Sequence, residues 1–145
     1  MKRTDRLRRI VDLRRIEEET AARQLREARA RRDHWQQIQD NLRSYGEHYR
    51  KRVSPTRKSA ADLHRERRFV DRLDEAQAEQ ARVIEQVTGE VDLSEKAWRK
   101  HRAQLRATEN LVDRLHQRDR ERTRRREDRE GDELASRMRR SGVNK

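Results

Sequence analysis

Apolar residues recur at alternating steps of three and four along two long stretches of the chain, one on each side of Pro55. In the first stretch the pattern is regular close to the proline and thinner toward the amino terminus, where Leu7, Ile10 and Leu13 continue it. The regular part consists of Ala28, Trp35, Ile38, Leu42, Tyr45 and Tyr49. This alternation indicates a helix that buries one seam in a coiled coil.

The second stretch carries a longer seam with one irregularity. Its first part consists of Phe69, Leu73, Ala76, Gln80, Val83 and Val87. One extra residue falls between Val87 and Val91, beside Gly89, and the alternation then resumes through Trp98 to Leu115. Such a skip changes the supercoil locally without ending the helix.

The two stretches are separated by the only proline of the chain. Proline disfavours helix in the residue before it and cannot continue a helix, so the chain turns around Pro55. Ser59, followed by an acid at Asp62, is typical of a helix N-cap. The sequence therefore predicts one coiled-coil domain over 1–145, with a helix over about 4–52, a turn over 53–59, a helix over 60–140 and a disordered tail over 141–145.

A short connection between long helices predicts antiparallel neighbours. The fold class is therefore all-α: two long helices form an antiparallel coiled-coil hairpin, and the second helix is longer and overhangs at its C-terminal end. With the turn centred on Pro55, residues whose numbers sum to about 110 would face each other, which places Phe69 near Leu42. On this rule the first helix ends opposite residues 105–111.

Composition leaves disorder as the alternative to a coiled coil. Lys and Arg number 40 against 28 Asp and Glu, and only 30% of the residues are hydrophobic. However, Ala, Glu, Lys, Leu and Arg together account for 80 residues, and this bias combined with a helical repeat is typical of a long helix. No apolar run approaches the ~18 residues of a membrane span, which favours a cytoplasmic protein.

Nothing in the sequence predicts catalysis, a metal site or a cofactor. The chain has no cysteine, and its four glycines are isolated, so it has no thiolate site and no phosphate-binding loop. The histidines lack the spacing of metal ligands and are interpreted as solvated polar residues; they are His34, His48, His64, His101 and His116. Binding or mechanical roles remain.

An arginine-rich stretch, RDRERTRRREDRE, occupies residues 118–130 with seven arginines and five acids. Together with the net charge of +12 it raises the possibility of nucleic-acid binding. The interleaved acids would repel phosphates, and no aromatic residue is present to stack on bases. A solvated helix, or one that contacts an acidic protein, is therefore favoured over nucleic-acid binding.

The aromatic residues concentrate around the turn. Two interpretations are open for these residues: they form the bulkiest part of the buried seam, or they form an exposed patch. The residues are Leu42, Tyr45, Tyr49, Phe69 and Leu73. The second interpretation predicts a docking surface, because aromatic residues are enriched where proteins bind one another tightly.

The order of these motifs resembles the FliJ family of flagellar export proteins. The resemblance rests on Tyr45-x3-Tyr49-Arg50 before the turn and on Phe69-Val70-x2-Leu73-x2-Ala76 after it. It continues through Trp98 in KAWRKHRAQL to the tail REDREGDELASRMRR and covers nearly the whole chain. The related stalk proteins of injectisomes, of the YscO type, share this architecture.

The resemblance implies a stalk that enters the ring of a hexameric export ATPase (FliI-like) and contacts the cytoplasmic domain of the export gate (FlhA-like). It also implies possible contacts with export chaperones and a cytoplasmic location, associated with the inner membrane only through these partners. The implied gate-binding residues are Leu42, Tyr45, Tyr49, Phe69, Leu73, Ala76 and Gln80. The family position upstream of them, commonly Gln, is Ile38 here.

The overhanging arginines are the expected contacts with the ATPase ring. They are Arg118, Arg122, Arg124, Arg125, Arg126 and Arg129. Two other functions remain open on the sequence alone: a coiled-coil scaffold that associates with itself, and a nucleic-acid-binding protein that uses its basic tail.

Overall fold

The computed structural model describes residues 3–52 and 59–143, which form two helices, α1 (Arg3–Arg52) and α2 (Ala60–Val143). The predicted all-α hairpin is confirmed, and the described residues contain no strand. Apart from Ser59, the turn predicted over 53–59 lies outside the described residues. The second helix was expected to end near residue 140, and α2 continues to Val143.

The predicted cap of α2 is present at Ser59. Its Oγ accepts a hydrogen bond from the backbone N–H of Asp62 at 3.2 Å, and its carbonyl oxygen accepts one from the N–H of Leu63 at 3.1 Å. Asp62 also lies in the first turn, where a carboxylate interacts favourably with the positive end of the helix dipole. These contacts satisfy backbone donors that the start of a helix otherwise leaves unpaired.

The chain divides into two compact units, which we name the turn unit (Glu18–His101) and the terminal unit (Met1–Glu17 with Arg102–Lys145). In the turn unit, Tyr49 contacts Phe69, Arg31 pairs with Glu90, and Glu18 contacts Trp98. The partner's number rises along α2 as the α1 number falls. The two helices of this unit therefore run antiparallel.

The turn unit contains a small apolar cluster of Leu25, Ala28 and Val91, against which Trp98 packs. The indole Nε1 of Trp98 donates a hydrogen bond to Glu18 Oε1 at 2.9 Å. The apolar part of the ring therefore packs on the cluster while its N–H donor has a hydrogen-bond partner. None of the described polar residues is buried. The core is thus one narrow apolar stripe, as a two-helix coil requires.

The predicted skip in α2 does not interrupt the helix. Val87 and Val91, four residues apart, are both buried, and α2 runs continuously through Gly89 between them. On α1 the buried positions Ala21, Leu25 and Ala28 keep the alternating steps of four and three. The extra residue is therefore accommodated in α2 alone.

In the terminal unit the buried position of α1 is Val11, with Leu7 half-buried. The sequence predicted Ile10 and Leu13 as seam residues, and this prediction is wrong because both are exposed. Extending the regular spacing back from Leu25 and Ala21 leads to Val11 and Leu7, and this is the face that α2 covers.

Polar contacts flank the seam of the terminal unit. Arg14 Nη1 donates a hydrogen bond to Gln104 Oε1 at 3.3 Å, and Arg15 Nε lies 3.7 Å from Glu109 Oε1. The charged groups of Arg15 and Glu109 are about half exposed, so this ion pair contributes little to stability. The contacts show which residues of the two helices lie opposite each other in this unit.

The facing rule based on Pro55 is shifted. Contacting residues have numbers that sum to about 119, as for Gly46 opposite Leu73, or to 118 for Tyr49 with Phe69, rather than to 110. The rule assumed that both helices enter the pairing at the same distance from the proline. In fact residues 60–65 of α2 are all exposed, whereas α1 remains paired as far as Tyr49.

This shift lengthens the paired part of the terminal unit. Thr4 and Leu7 of α1 line one small cavity together with Leu115 and Arg118 of α2, so α1 begins opposite this point and not opposite residues 105–111. Beyond it, every residue of α2 from 117 to 134 is exposed. The predicted overhang is confirmed and starts later than expected.

Two glycines within the helices have opposite surroundings, which gives a stability prediction. A Cβ on Gly89 would meet no atom within 4 Å, whereas a Cβ on Gly46 would lie 2.9 Å from Cδ2 of the buried Leu73. We expect Gly89→Ala to raise the free energy of unfolding by about 0.5–1 kcal/mol. We expect Gly46→Ala to lower it by about 1 kcal/mol, because overpacking outweighs the gain in helix propensity.

Urea denaturation followed by circular dichroism measures both variants. Each replaces a glycine by alanine inside a helix, so their intrinsic helix propensities change equally and only the surroundings differ. Equal changes in the two variants would contradict the close approach of Gly46 to Leu73.

Candidate docking surfaces

The predicted aromatic residues form one cluster across the two helices of the turn unit. The ring of Phe69 lies 4.3 Å from the ring of Tyr49 and 6.2 Å from that of Tyr45, measured between centroids, with interplanar angles of 39° and 57°. Tilted pairs at these separations contribute roughly 0.5–1.5 kcal/mol beyond their buried area. Phe69 therefore joins α1 to α2 at the end of the paired segment near the turn.

The members of the predicted gate-binding set differ in accessibility. Tyr45 is 57% exposed, whereas Leu73 is only 6% exposed and lies in the core. The remaining five are half-buried; they are Leu42, Tyr49, Phe69, Ala76 and Gln80. Tyr45 can reach a partner directly, whereas Leu73 packs against Gly46 of the opposite helix.

Gly46 is part of this arrangement and was not predicted as a site residue. It is buried against Leu73, between Tyr45 and Tyr49 in the sequence. Because Gly46 has no side chain, α2 approaches α1 closely and Leu73 fills the space beside it. The sequence does distinguish Gly46, because it is the only glycine between residues 1 and 52.

Gln80 is a polar position on the seam. Its side-chain Oε1 is buried and accepts no hydrogen bond from the described residues. Gln80 is therefore a half-buried polar residue within an otherwise largely apolar stripe.

The arginines of the overhang divide into two sides of α2. At about 100° per residue, four of the predicted arginines lie along one side, where they line a shallow groove with Glu130 and Glu133. These four are Arg122, Arg125, Arg126 and Arg129. Arg118 lies on the same side one turn earlier, but Arg124 is rotated by about 200° from Arg122 and is apart from the rest.

The arginine side of the overhang continues the seam of α2. The steps of three and four that place Val112 and Leu115 toward α1 lead next to charged residues, which are Asp119, Arg122, Arg126, Arg129 and Glu133. The change from apolar to charged residues coincides with the start of α1 at Arg3. We name Arg122, Arg125, Arg126 and Arg129 the arginine side; none of them forms an ion pair with another described residue.

The described residues contain no group of three or more His, Asp or Glu side chains that could hold a metal ion. His34 instead packs edge-on against the ring of Trp35, with centroids 5.8 Å apart and an interplanar angle of 67°. Within the described segments, neither helix has a stretch long and apolar enough to cross a membrane.

The sequence matches a known protein family. Residues 1–142 match the model of the family described as Flagellar FliJ protein. Among individually curated proteins, none matches the sequence. The family match covers nearly the whole chain, including both helices, the aromatic cluster and the arginine side.

Proposed function

The chain belongs to the FliJ family and is thereby a component of the flagellar export apparatus, and we propose that it serves there as a stalk between two partners. One partner is the hexameric export ATPase, whose ring the stalk enters. The other is the cytoplasmic domain of the export gate. The observation that carries this proposal is the aromatic cluster, with Tyr45 exposed on a chain that has only five Phe, Trp and Tyr residues.

The aromatic cluster suits a gate contact because it combines exposure with rigidity. Tyr45 projects from α1, and its neighbour Phe69 is held in turn by Tyr49. Aromatic side chains that are already fixed lose little conformational entropy when they bind, so most of their burial contributes to affinity. The gate-binding residues proposed are the half-buried and exposed members of the predicted set.

The arginine side suits a ring whose lumen carries acidic groups. Its four arginines are exposed on α2; Arg122 lies level with the first residues of α1, and the other three follow it along the helix. None of the four forms an ion pair with another described residue, although Glu130 and Glu133 line the same groove. Complementary charge steers association and fixes orientation more than it raises affinity. The overhang would therefore enter the ring quickly and in one orientation.

The role proposed is mechanical and not enzymatic. The family is a non-catalytic component of export, and the chain couples the ATPase to the gate by binding both. Export chaperones are further partners under this proposal. Association with the inner membrane would then follow from the gate contact.

Tyr45→Ala tests the gate contact with little risk to the fold, because the side chain is more than half exposed. We expect affinity for the cytoplasmic domain of the gate to fall about thirtyfold, which corresponds to about 2 kcal/mol. Leu63→Ala, which removes another exposed apolar side chain from the turn unit, is the matched control and should leave affinity unchanged. Isothermal titration calorimetry with the purified gate domain measures both.

Circular dichroism of the same samples should show unchanged helix content. Gate affinity that survives Tyr45→Ala would remove the aromatic cluster as the contact. Equal losses of gate affinity in Tyr45→Ala and Leu63→Ala would also contradict the proposed contact, because the loss would then not be specific to the aromatic cluster. Sedimentation equilibrium of the chain alone tests the scaffold alternative, which requires self-association in the absence of both partners.

A further inference from the structure

The first turns of α1 have two apolar faces, and only one of them is used by the fold. Leu7 and Val11 face α2 and are half-buried and buried. Ile10, Leu13 and Ile16 lie on the outer side of the helix and are between 42% and 61% exposed. We name these three the outer ridge. It includes two of the four isoleucines of a chain that is only 30% hydrophobic.

The outer ridge lies in a strongly basic segment. Residues 3–16 contain six arginines and two aspartates, a net charge of +4. By helical spacing, Arg6 and Arg9 lie on the same side as Ile10 and Leu13, and both are exposed. Neither forms an ion pair with another described residue, whereas Arg14 and Arg15 pair with Glu17 and Glu109.

We propose that the outer ridge docks directly on an anionic lipid surface, with Ile10 and Leu13 inserted between headgroups and Arg6 and Arg9 bound to their phosphates. A helix with a basic and apolar face is the arrangement that lies in the plane of a membrane interface. Clusters of four to eight basic residues on such a helix are attracted to negatively charged leaflets. The proposal goes beyond the stalk function and is independent of it.

The same features disfavour other occupants of this face. If a second copy docked through its own outer ridge, Arg6 and Arg9 of the two copies would face each other. Their repulsion would act against the apolar contact. A nucleic acid would be attracted by the arginines but would gain nothing from three branched aliphatic side chains. A bilayer deforms around a convex row of side chains and supplies phosphates on both sides of it.

The fold contributes to this docking by holding α1 rigid. Val11 is anchored against α2, so the outer ridge is already helical before it meets lipid, and little ordering entropy is lost on binding. The helix contacts the surface on one side only. The docking is therefore peripheral and reversible, and weaker at high salt because screening reduces the arginine contribution.

Vesicle co-sedimentation of the full chain tests the proposal. The probes are vesicles of phosphatidylcholine alone and vesicles containing one third phosphatidylglycerol or cardiolipin, as roughly expected for a strongly anionic leaflet. We expect binding to the anionic vesicles only. Arg6→Ser with Arg9→Ser should lower partitioning about twenty-fivefold, since each basic residue near the surface contributes a factor of about five. Ile10→Ser with Leu13→Ser should lower it about tenfold.

The controls are Leu93→Ser, which changes a leucine on α2 that is more exposed than Ile10 and Leu13, and Arg120→Ser with Arg124→Ser in the overhang. Neither should change partitioning. The absence of binding to anionic vesicles would overturn the proposal, and so would binding that survives Ile10→Ser with Leu13→Ser. Loss of binding through Arg120 and Arg124 would assign the attraction to the overhang and overturn it as well.

Discussion

Replacing Leu25 with alanine is expected to lower the free energy of unfolding by about 3 kcal/mol. Leu25 is 4% exposed and packs with Ala28 and Val91 in the apolar cluster of the turn unit. In a two-helix coil only one stripe is buried, so a cavity in that stripe has few neighbouring side chains able to relax into it. The loss is a large part of the stability expected for a small domain. Urea denaturation monitored by circular dichroism measures it.

Leu93→Ala is the matched control, because it removes the same atoms from the same unit at a position that is 69% exposed. We expect a change within about 0.5 kcal/mol, as for surface substitutions elsewhere. If both leucines gave the same small loss, the cluster of Leu25, Ala28 and Val91 would not be the stabilising core. If Leu93→Ala gave the larger loss, the seam would lie on the other face of α2.

Reversing two charges on the arginine side, Arg122→Glu with Arg126→Glu, is expected to lower affinity for the export ATPase ring about a hundredfold. This prediction rests on the proposed function. Both side chains are exposed on the continuation of the α2 seam, and two reversals convert attraction to acidic groups into repulsion. A hundredfold loss corresponds to about 2.8 kcal/mol. Surface plasmon resonance with the assembled ring measures it, and the association rate should carry a large share of the change.

Arg120→Glu with Arg124→Glu makes the same change in net charge on the opposite side of the helix. We expect affinity to remain within about threefold of the unaltered chain. Equal losses in the two double variants would mean that net charge, and not the arginine side, attracts the ring. Unchanged affinity in both would exclude the overhang from the ring contact, and unchanged Tyr45-dependent gate binding in the same preparations would show that the chain is still folded.

The candidate site was partly visible in the sequence. Tyr45, Tyr49 and Phe69 were expected to lie together because the turn brings their segments side by side, and their rings do meet. Leu73 belongs to the predicted seam and also to the implied gate-binding set, and the structure buries it. The close approach of the two helices at that level depends on Gly46, which has no side chain. A seam pattern records which residues are apolar and does not record how closely two backbones approach.

The arginine residues illustrate a different limit. The sequence shows how many arginines follow the seam and where they stand. A grouping by sequence position includes Arg124, although helical geometry places it on the opposite side of α2 from Arg122. The apolar residues Ile10 and Leu13 show that helical spacing alone can also be misleading. Both are apolar and helically spaced, and yet Val11, at the next position, is the residue that α2 covers. With two apolar stripes on one helix, periodicity alone does not select the buried one.

The sequence by itself determined two long helices, their antiparallel pairing, the capping of α2 by Ser59 and its overhang. These features follow from local rules, namely heptad spacing, the exclusion of helix by proline and hydrogen bonding at a helix start. Only the tertiary structure decided the register between the helices and hence which apolar residues are exposed. The register depends on side-chain volumes on both helices together, because close-packed side chains must fit the space that the opposite helix leaves, as Leu73 does against Gly46.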